Sequence, residues 1–244
     1  MKELKQVEES IRNACAKSGR DRSEVRIVAV TKTHGPEVVA EACAAGLMLI
    51  GENKVQEAMW KKPQCASCLS WHLIGHLQTN KVRHALATFD YFHSIDSAKL
   101  LDKIETVSEE LGLRPRVLLE VNVSGEKSKS GMKPEEVPFV LEHAMMECPR
   151  IEVQGFMTMA PFSTDPESSR PYFRRLKELQ IQMRKVSGLY LPELSMGMSG
   201  DYQVAVEEGA TFVRLGTVLF GARPKVRRQV ASDDLGLDVC KYVD

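Results

Sequence analysis

Short runs of apolar, largely β-branched residues alternate along this chain with longer segments whose apolar residues recur at helical spacing. The first run, residues 25–30, is followed by Gly35 and Pro36, which indicate a strand that ends in a turn. Pro36 suits the first turn of a helix, and the next helical pattern stops at Gly46. The same signals predict eight strands, at residues 25–30, 47–50, 70–74, 90–94, 116–123, 152–158, 193–196 and 211–215.

Helices are predicted before and between these strands, at residues 3–18, 37–45, 53–61, 78–87, 97–111, 134–147, 167–186 and 201–208. Alternating strands and helices imply a parallel sheet with right-handed crossovers. Eight such units predict a closed (β/α)8 TIM barrel, with an open doubly wound sheet as the alternative because periodicity does not prove closure. Little helical sequence follows the last strand, so we expect helix 3–18 to pack on the barrel wall there.

The pattern along the 244 residues predicts one domain followed by a short tail. No segment rich in proline, glycine and serine divides the alternating pattern, which predicts a single barrel domain over residues 1–224. The remaining segment, residues 225–244, shows no clear periodicity, and we expect a loosely held C-terminal tail.

Composition narrows the function. Lys+Arg and Asp+Glu are 33 each, so the chain lacks the basic excess of a nucleic-acid-binding protein. No apolar run approaches the roughly 18 residues of a membrane span, and the N-terminus lacks a signal-peptide core. The six cysteines are scattered, unlike the disulfide framework of a small secreted domain. We therefore expect a cytoplasmic protein that binds neither nucleic acid nor membrane.

Candidate chemistry lies where the predicted strands end, since active sites of such barrels form at the C-terminal ends of the strands. Lys32 follows the first strand, and apolar surroundings would lower the pKa of its amine and prepare it for Schiff-base formation. Small residues follow the seventh and eighth strands at Ser199-Gly200 and Gly216-Thr217, where backbone N–H groups could hold a phosphate. With Arg214 in the same mouth, the set suits a phosphorylated aldehyde.

Simpler interpretations remain open at this point: the glycines could serve only tight turns, and Lys32 could be an ordinary surface lysine.

Two other patterns contain residue types that bind metals, but neither pattern predicts a metal site. Cys65 and Cys68 form one pair where a structural zinc site needs four ligands. His72 and His76 are interrupted by Gly75 in a segment predicted to pass from strand to loop.

Several segments together resemble one known family, the YggS/PROSC proteins, which are pyridoxal 5′-phosphate (PLP) homeostasis proteins. The matching segments are residues 29–33, 51–57, 71–81, 121–123, 127–131, 194–199 with Asp201, 211–217 and 220–223. They occur in the expected order across residues 1–224, which makes the resemblance specific.

The resemblance implies an alanine-racemase-like barrel that holds PLP as a Schiff base on Lys32. It also implies that Arg214 faces the pyridine nitrogen and that Asn53 lies close to the cofactor ring. The residues that would hold the phosphate are Ser199, Gly216 and Thr217. The chain departs from the family pattern at His34-Gly35 and at Lys54, which affects contacts at the rim of the pocket and leaves the role of Lys32 intact.

The function implied is reversible storage of PLP for intracellular homeostasis, without substantial turnover. Apo forms of PLP-dependent enzymes are the expected partners, and a monomer or weak homodimer is the expected state. A PLP-dependent amino-acid racemase is the first alternative, although racemases of this type use an additional β-domain that the barrel pattern leaves no room for. A barrel enzyme acting on a phosphorylated sugar through a Lys32 Schiff base is the second, and it would lack the yellow colour of bound PLP.

Overall fold

Eight parallel strands form a closed barrel in the computed structural model, which describes residues 2–126 and 129–221. The strands are β1 (Arg26–Val30), β2 (Leu49–Glu52), β3 (Ser70–Leu73), β4 (Tyr91–Ile95), β5 (Arg116–Glu120), β6 (Glu152–Met157), β7 (Glu193–Ser195) and β8 (Phe212–Leu215). They pair in chain order, and β8 pairs with β1 with Val28 opposite Arg214. This last pairing closes the sheet, so the predicted (β/α)8 barrel is confirmed and the open sheet is excluded.

Helices surround the barrel. They are α1 (Lys2–Lys17), α2 (Pro36–Ala44), α3 (Val55–Lys61), α4 (Val82–Thr88), α5 (Ala98–Leu111), α6 (Val137–Glu147), α7 (Arg170–Ser187), α8 (Tyr202–Glu207) and α9 (Thr217–Phe220). The main core lies between strands and helices, and a smaller cluster that includes Val28, Leu118 and Phe212 fills the barrel. Strands buried on both faces explain why the sequence shows continuous apolar runs rather than strict alternation.

The N-terminal helix α1 packs against α8 and α9. Its buried residues are Val7, Ile11, Ala14 and Cys15, which share one face of a helix because they recur at intervals of four, three and one. The expectation that this helix covers the wall beside the last strand is confirmed.

Several element boundaries differ from the predicted ones by a few residues, and one helix was not predicted. Strand β2 continues through Gly51 to Glu52, although the glycine predicted an end at residue 50. A Cβ atom at Gly51 would lie 2.8 Å from Cγ1 of Val28, so the glycine allows close packing inside the barrel. The short helix α9 was not predicted, and it begins at Thr217.

The predicted tail 225–244 lies outside the described residues, and the division into residues 1–224 and 225–244 stays a prediction. Among the residues that the structure describes, no helix has both the length and the apolar character needed to cross a bilayer.

Candidate functional site

Lys32 lies two residues after β1, at the mouth of the barrel formed by the C-terminal ends of the strands, and it is half-buried. Thr33 has a φ of 67°, a left-handed conformation that is unusual for a β-branched residue. The Thr33 backbone N–H donates to Oε1 of Glu57 at 2.6 Å, which holds this turn against α3. The turn that presents Lys32 is therefore fixed by a neighbouring helix.

A buried ion-pair network lies behind that turn. The Lys61 ammonium donates to the Thr31 carbonyl at 2.8 Å, to Glu52 Oε1 at 2.7 Å and to Glu57 Oε1 at 2.6 Å. Thr31 also donates its hydroxyl to Glu52 Oε1 at 2.5 Å. Burial raises the pKa of Glu52 to about 7, and the Lys61 charge opposes that rise. These contacts tie the ends of β1 and β2 to α3.

Arg214 is a further charged group at the mouth, and it is 5% exposed. Its guanidinium donates to the Ser195 hydroxyl at 2.6 Å and to the Thr158 carbonyl at 2.9 Å. Burial lowers the pKa of Arg214 to about 10, while Glu120 and Asp201 act in the opposite direction. Arg214 therefore stays a cation at neutral pH, and both hydrogen-bond partners found for it among the described residues are neutral oxygens.

Hydrogen bonds continue from Arg214 down the inside of the barrel. The Ser195 hydroxyl lies 2.8 Å from Nδ1 of His93, and Nε2 of His93 lies 2.8 Å from Nδ1 of His72. Nε2 of His72 is 3.2 Å from the Ser70 hydroxyl. Burial lowers the pKa of His72 to about 3 and that of His93 well below its usual value, so both rings are neutral.

The predicted phosphate residues come together beside β1. The Val218 backbone N–H, in the first turn of α9, donates to the Ser199 hydroxyl at 3.2 Å, which joins the β7–α8 loop to the segment of Gly216 and Thr217. A Cβ atom at Gly216 would lie 3.3 Å from the Val30 carbonyl oxygen, so this segment packs closely on the end of β1.

Asn53 follows β2 at the same mouth and is half-buried. Its backbone is in close contact with Gly75, where a Cβ atom would lie 2.4 Å from the Asn53 carbonyl oxygen. All six residues predicted for the site, Lys32, Asn53, Ser199, Arg214, Gly216 and Thr217, therefore lie on or beyond the C-terminal ends of β1, β2, β7 and β8. Their roles toward a ligand stay predictions.

The two departures from the family pattern lie at the rim, as expected. The His34 ring packs against Phe220 of α9, with 5.8 Å between the ring centroids. Gly35 and Lys54 occupy the positions directly before α2 and α3.

Sequence reasoning missed Lys61, Ser195 and His93, and it considered His72 only as a metal ligand. One signal was available for Lys61, which lies four residues after Glu57 on a predicted helix, the spacing of a helical ion pair. The contact between His72 and His93 had no local signal because it joins two strands 21 residues apart. His76, by contrast, is exposed and lies 3.4 Å from Asp96, away from His72.

Comparison with known proteins agrees with this arrangement. The family model "Alanine racemase, N-terminal domain" matches residues 3–224. The chain is 42% identical to a pyridoxal phosphate homeostasis protein of Aquifex aeolicus over 90% of this chain and 96% of that protein. It is 39% identical to the human protein of that name, over 90% of this chain and 85% of the human one.

Among solved structures, PipY of Synechococcus elongatus with PLP bound is 35% identical to this chain. The match has a TM-score of 0.77 and covers 87% of this chain and 99% of PipY. The sequence identity is well above the 16% found for alanine racemase of Clostridium difficile, which shares the barrel. The chain belongs to the family of pyridoxal phosphate homeostasis proteins, built on the alanine racemase N-terminal domain barrel.

Proposed function

We propose that this protein binds PLP reversibly in the mouth of the barrel and serves in PLP homeostasis, without substantial turnover of amino acids. The observation that carries the proposal is Arg214, a buried cation at the mouth whose described partners are neutral. A guanidinium has five N–H donors and no acceptor, and a pyridine nitrogen is a neutral acceptor that such a donor suits. The PLP-bound structure of PipY supports the same ligand.

The residues around Arg214 fit the other two parts of the cofactor. A Cβ atom at Gly216 would make a tight contact of 3.3 Å with the Val30 carbonyl oxygen. Small residues of this kind let a phosphate approach backbone N–H groups. In our proposal Ser199, Gly216 and Thr217 hold the phosphate, and Asn53 contacts the ring.

Lys32 would hold the aldehyde covalently. Its neutral amine adds to the aldehyde carbon, water leaves with the former carbonyl oxygen, and a C=N bond joins lysine to cofactor. Addition of water reverses the reaction, so no oxidant or reductant is required. The fixed turn at Thr31 and Thr33 supports this role because it holds the backbone from which the Lys32 side chain extends.

Arg214 also favours storage of PLP over catalysis with it. When bound, PLP supplies an electron sink for carbanions at an amino-acid Cα, and its strength depends on a protonated ring nitrogen. Arg214 donates to that nitrogen and gives up no proton to it, because a guanidinium stays protonated in proteins. The sink is therefore weak.

Borohydride reduction of PLP-loaded protein tests the proposal. We expect a yellow protein whose colour is lost on reduction, one pyridoxyl group per chain, and peptide mass mapping that places it on Lys32. Lys54→Met is the matched control, because Lys54 lies at the same rim, and it should be labelled like the wild type. A label on Lys54 or Lys81, or labelling that survives in Lys32→Met, would contradict the assignment.

The proposed recipients are apo forms of PLP-dependent enzymes in the cytoplasm, served by a monomer or weak homodimer. Transfer from the loaded protein to an apo-transaminase, followed as recovered transaminase activity, tests this step. Recovery should be faster than with the borohydride-reduced protein, which cannot release its cofactor. Equal rates would contradict delivery by this protein.

A further inference from the structure

A line of hydrogen bonds runs through the barrel interior from Arg214 through Ser195, His93 and His72 to Ser70. Along this line each residue donates a proton to the next one, counted from Arg214. The direction is set at Arg214, which has donors only, so Ser195 accepts from it. Ser195 is fully buried, and the one acceptor that the described residues offer its hydroxyl proton is Nδ1 of His93. Ser195 therefore donates to His93.

The rest of the line follows from proton counting. A neutral imidazole carries one proton, so a His93 ring that accepts at Nδ1 must carry its proton at Nε2. That proton points to Nδ1 of His72 at 2.8 Å, which makes His72 an acceptor there. His72 then carries its own proton at Nε2 and donates to the Ser70 hydroxyl. Both histidines are fixed in the Nε2–H form.

A line with one direction is also a line of aligned dipoles. Each acceptor atom lies on the side toward Arg214 and each proton on the side away from it, so the negative ends point to the guanidinium. Hydrogen bonds aligned in this way strengthen one another in a medium of low dielectric constant. The line therefore stabilises the buried cation, although no carboxylate of the described residues is hydrogen-bonded to it.

We propose that Ser195, His93 and His72 are positioning residues that hold the Arg214 guanidinium in place for the ring nitrogen of PLP. This inference rests on the proposed function. A carboxylate in the place of Ser195 would also stabilise the cation, but it would take two N–H groups in a bidentate pair and neutralise the charge. A neutral line holds the guanidinium and leaves its charge facing the ligand.

The test that needs no variant is nitrogen-15 NMR of the histidine rings. In protein without PLP, we expect both His72 and His93 to show the two-bond proton–nitrogen pattern of the Nε2–H tautomer from pH 6 to pH 8. A protonated ring, or an Nδ1–H tautomer at either residue, would overturn the inference. This measurement does not depend on PLP binding, so it separates the line itself from the proposed function.

A variant series tests the effect on the ligand. Ser195→Ala removes the link between Arg214 and His93, and we expect His93 to lose its single tautomer and the dissociation constant for PLP to rise about tenfold, the loss of one hydrogen bond to a charged group. Ser195→Thr keeps the hydroxyl and should restore both readouts. Because Arg214 would be less well held, the absorption band of bound PLP should also shift in Ser195→Ala and return in Ser195→Thr.

Tyr91→Phe is the matched control inside the barrel. The Tyr91 ring stacks on His72 with centroids 5.1 Å apart, but its buried hydroxyl has no hydrogen-bond partner among the described residues. The variant should leave the tautomers, the PLP spectrum and the affinity unchanged. An equal effect of Tyr91→Phe and Ser195→Ala would mean that packing alone acts, and an unchanged Ser195→Ala would contradict positioning by the line. If the tautomers are as expected but PLP does not bind, the result contradicts the proposed function and still supports the hydrogen-bonded line.

Discussion

Glu52 and Glu120 are two buried carboxylates at the mouth of the barrel. Glu52 accepts from Lys61, whose three N–H bonds are matched by three oxygens. Glu120, at the end of β5, is 2% exposed. Burial raises the pKa of Glu120 to about 7, Asp96 adds to the rise, and Arg214 opposes it. Glu120 is therefore a group whose charge depends on pH near neutrality.

We predict that Glu120 makes the protein without PLP less stable as pH rises from about 4.5 to about 7. Its pKa in the folded state is above the unfolded value of 4.5, so in this range the folded protein holds a proton that the unfolded chain has released. Stability falls with pH wherever the folded state binds more protons, by ~1.4 kcal/mol per pH unit for one full proton.

Urea unfolding at pH 4.5 and pH 8 measures this effect. We subtract the free energy of unfolding of the wild type from that of Glu120→Gln at each pH. This difference should be about 3 kcal/mol larger at pH 8 than at pH 4.5. Glu109→Gln, an exposed substitution on α5, is the control and should follow the wild type. Parallel pH dependences of the wild type and Glu120→Gln would show that folding does not raise the pKa of Glu120.

At the scale of elements, the sequence predicted the order and type of all eight strands, because each apolar run is bounded by glycine, proline or polar residues. The end of β2 was wrong because Gly51 serves the packing of Val28, a contact between strands that a local signal does not carry. The helix α9 has only four residues, too few for a helical period to be visible.

The same distinction applies to the candidate site. Residues at the strand ends, such as Lys32 and Gly216, were predicted because a barrel brings those ends together. Other residues support the site from inside the barrel, such as His93, or from a surrounding helix, such as Lys61 on α3. Their roles can be recognised only when segments distant in sequence are placed side by side. Ser195 and Arg214 illustrate the point, since their hydrogen bond joins β7 to β8 across 19 residues.

The contact of α1 with α8 and α9 gives a prediction about stability. Ile11 is fully buried on the inner face of α1. Ile11→Ala removes buried methyl groups and leaves a cavity, so we expect a loss of about 3 kcal/mol in the free energy of unfolding. Urea unfolding measures it, and Arg12→Ala, at the exposed neighbouring position, should change stability by less than about 0.5 kcal/mol. A similarly small loss for Ile11→Ala would show that α1 is not part of the cooperative fold.

At the scale of the whole molecule, the barrel offers few groups that could move protons on both faces of a bound amino acid. Racemisation needs a base on each face at about 2.6–3.2 Å, and Lys32 can serve one. Tyr91 lies inside the barrel, and Tyr202, which begins α8 beside the Ser199 loop, is 7% exposed. Among the tyrosines that the structure describes, Tyr202 is the one we expect to come nearest to a bound ligand.

We predict that PLP-saturated protein does not racemise L-alanine at a useful rate. The loss of one positioned proton-transfer group costs roughly 10²–10⁴-fold in rate, and the weak electron sink beside Arg214 adds to that loss. Chiral chromatography of L-alanine and several other amino acids after long incubation is the measurement. Steady turnover that survives further purification and disappears in Tyr202→Phe would restore the racemase interpretation.

Closure of the barrel between its first and last strands also has a consequence for synthesis on the ribosome. Arg26 of β1 pairs with Phe212 of β8, so the edge of β1 stays open until nearly all of the barrel sequence has been translated. The apolar face of α1 likewise stays exposed until α8 and α9, which cover it, have been translated. A nascent chain of this protein therefore carries an uncovered strand edge and an amphipathic helix through most of translation, which makes it a candidate client for chaperones that act at the ribosome.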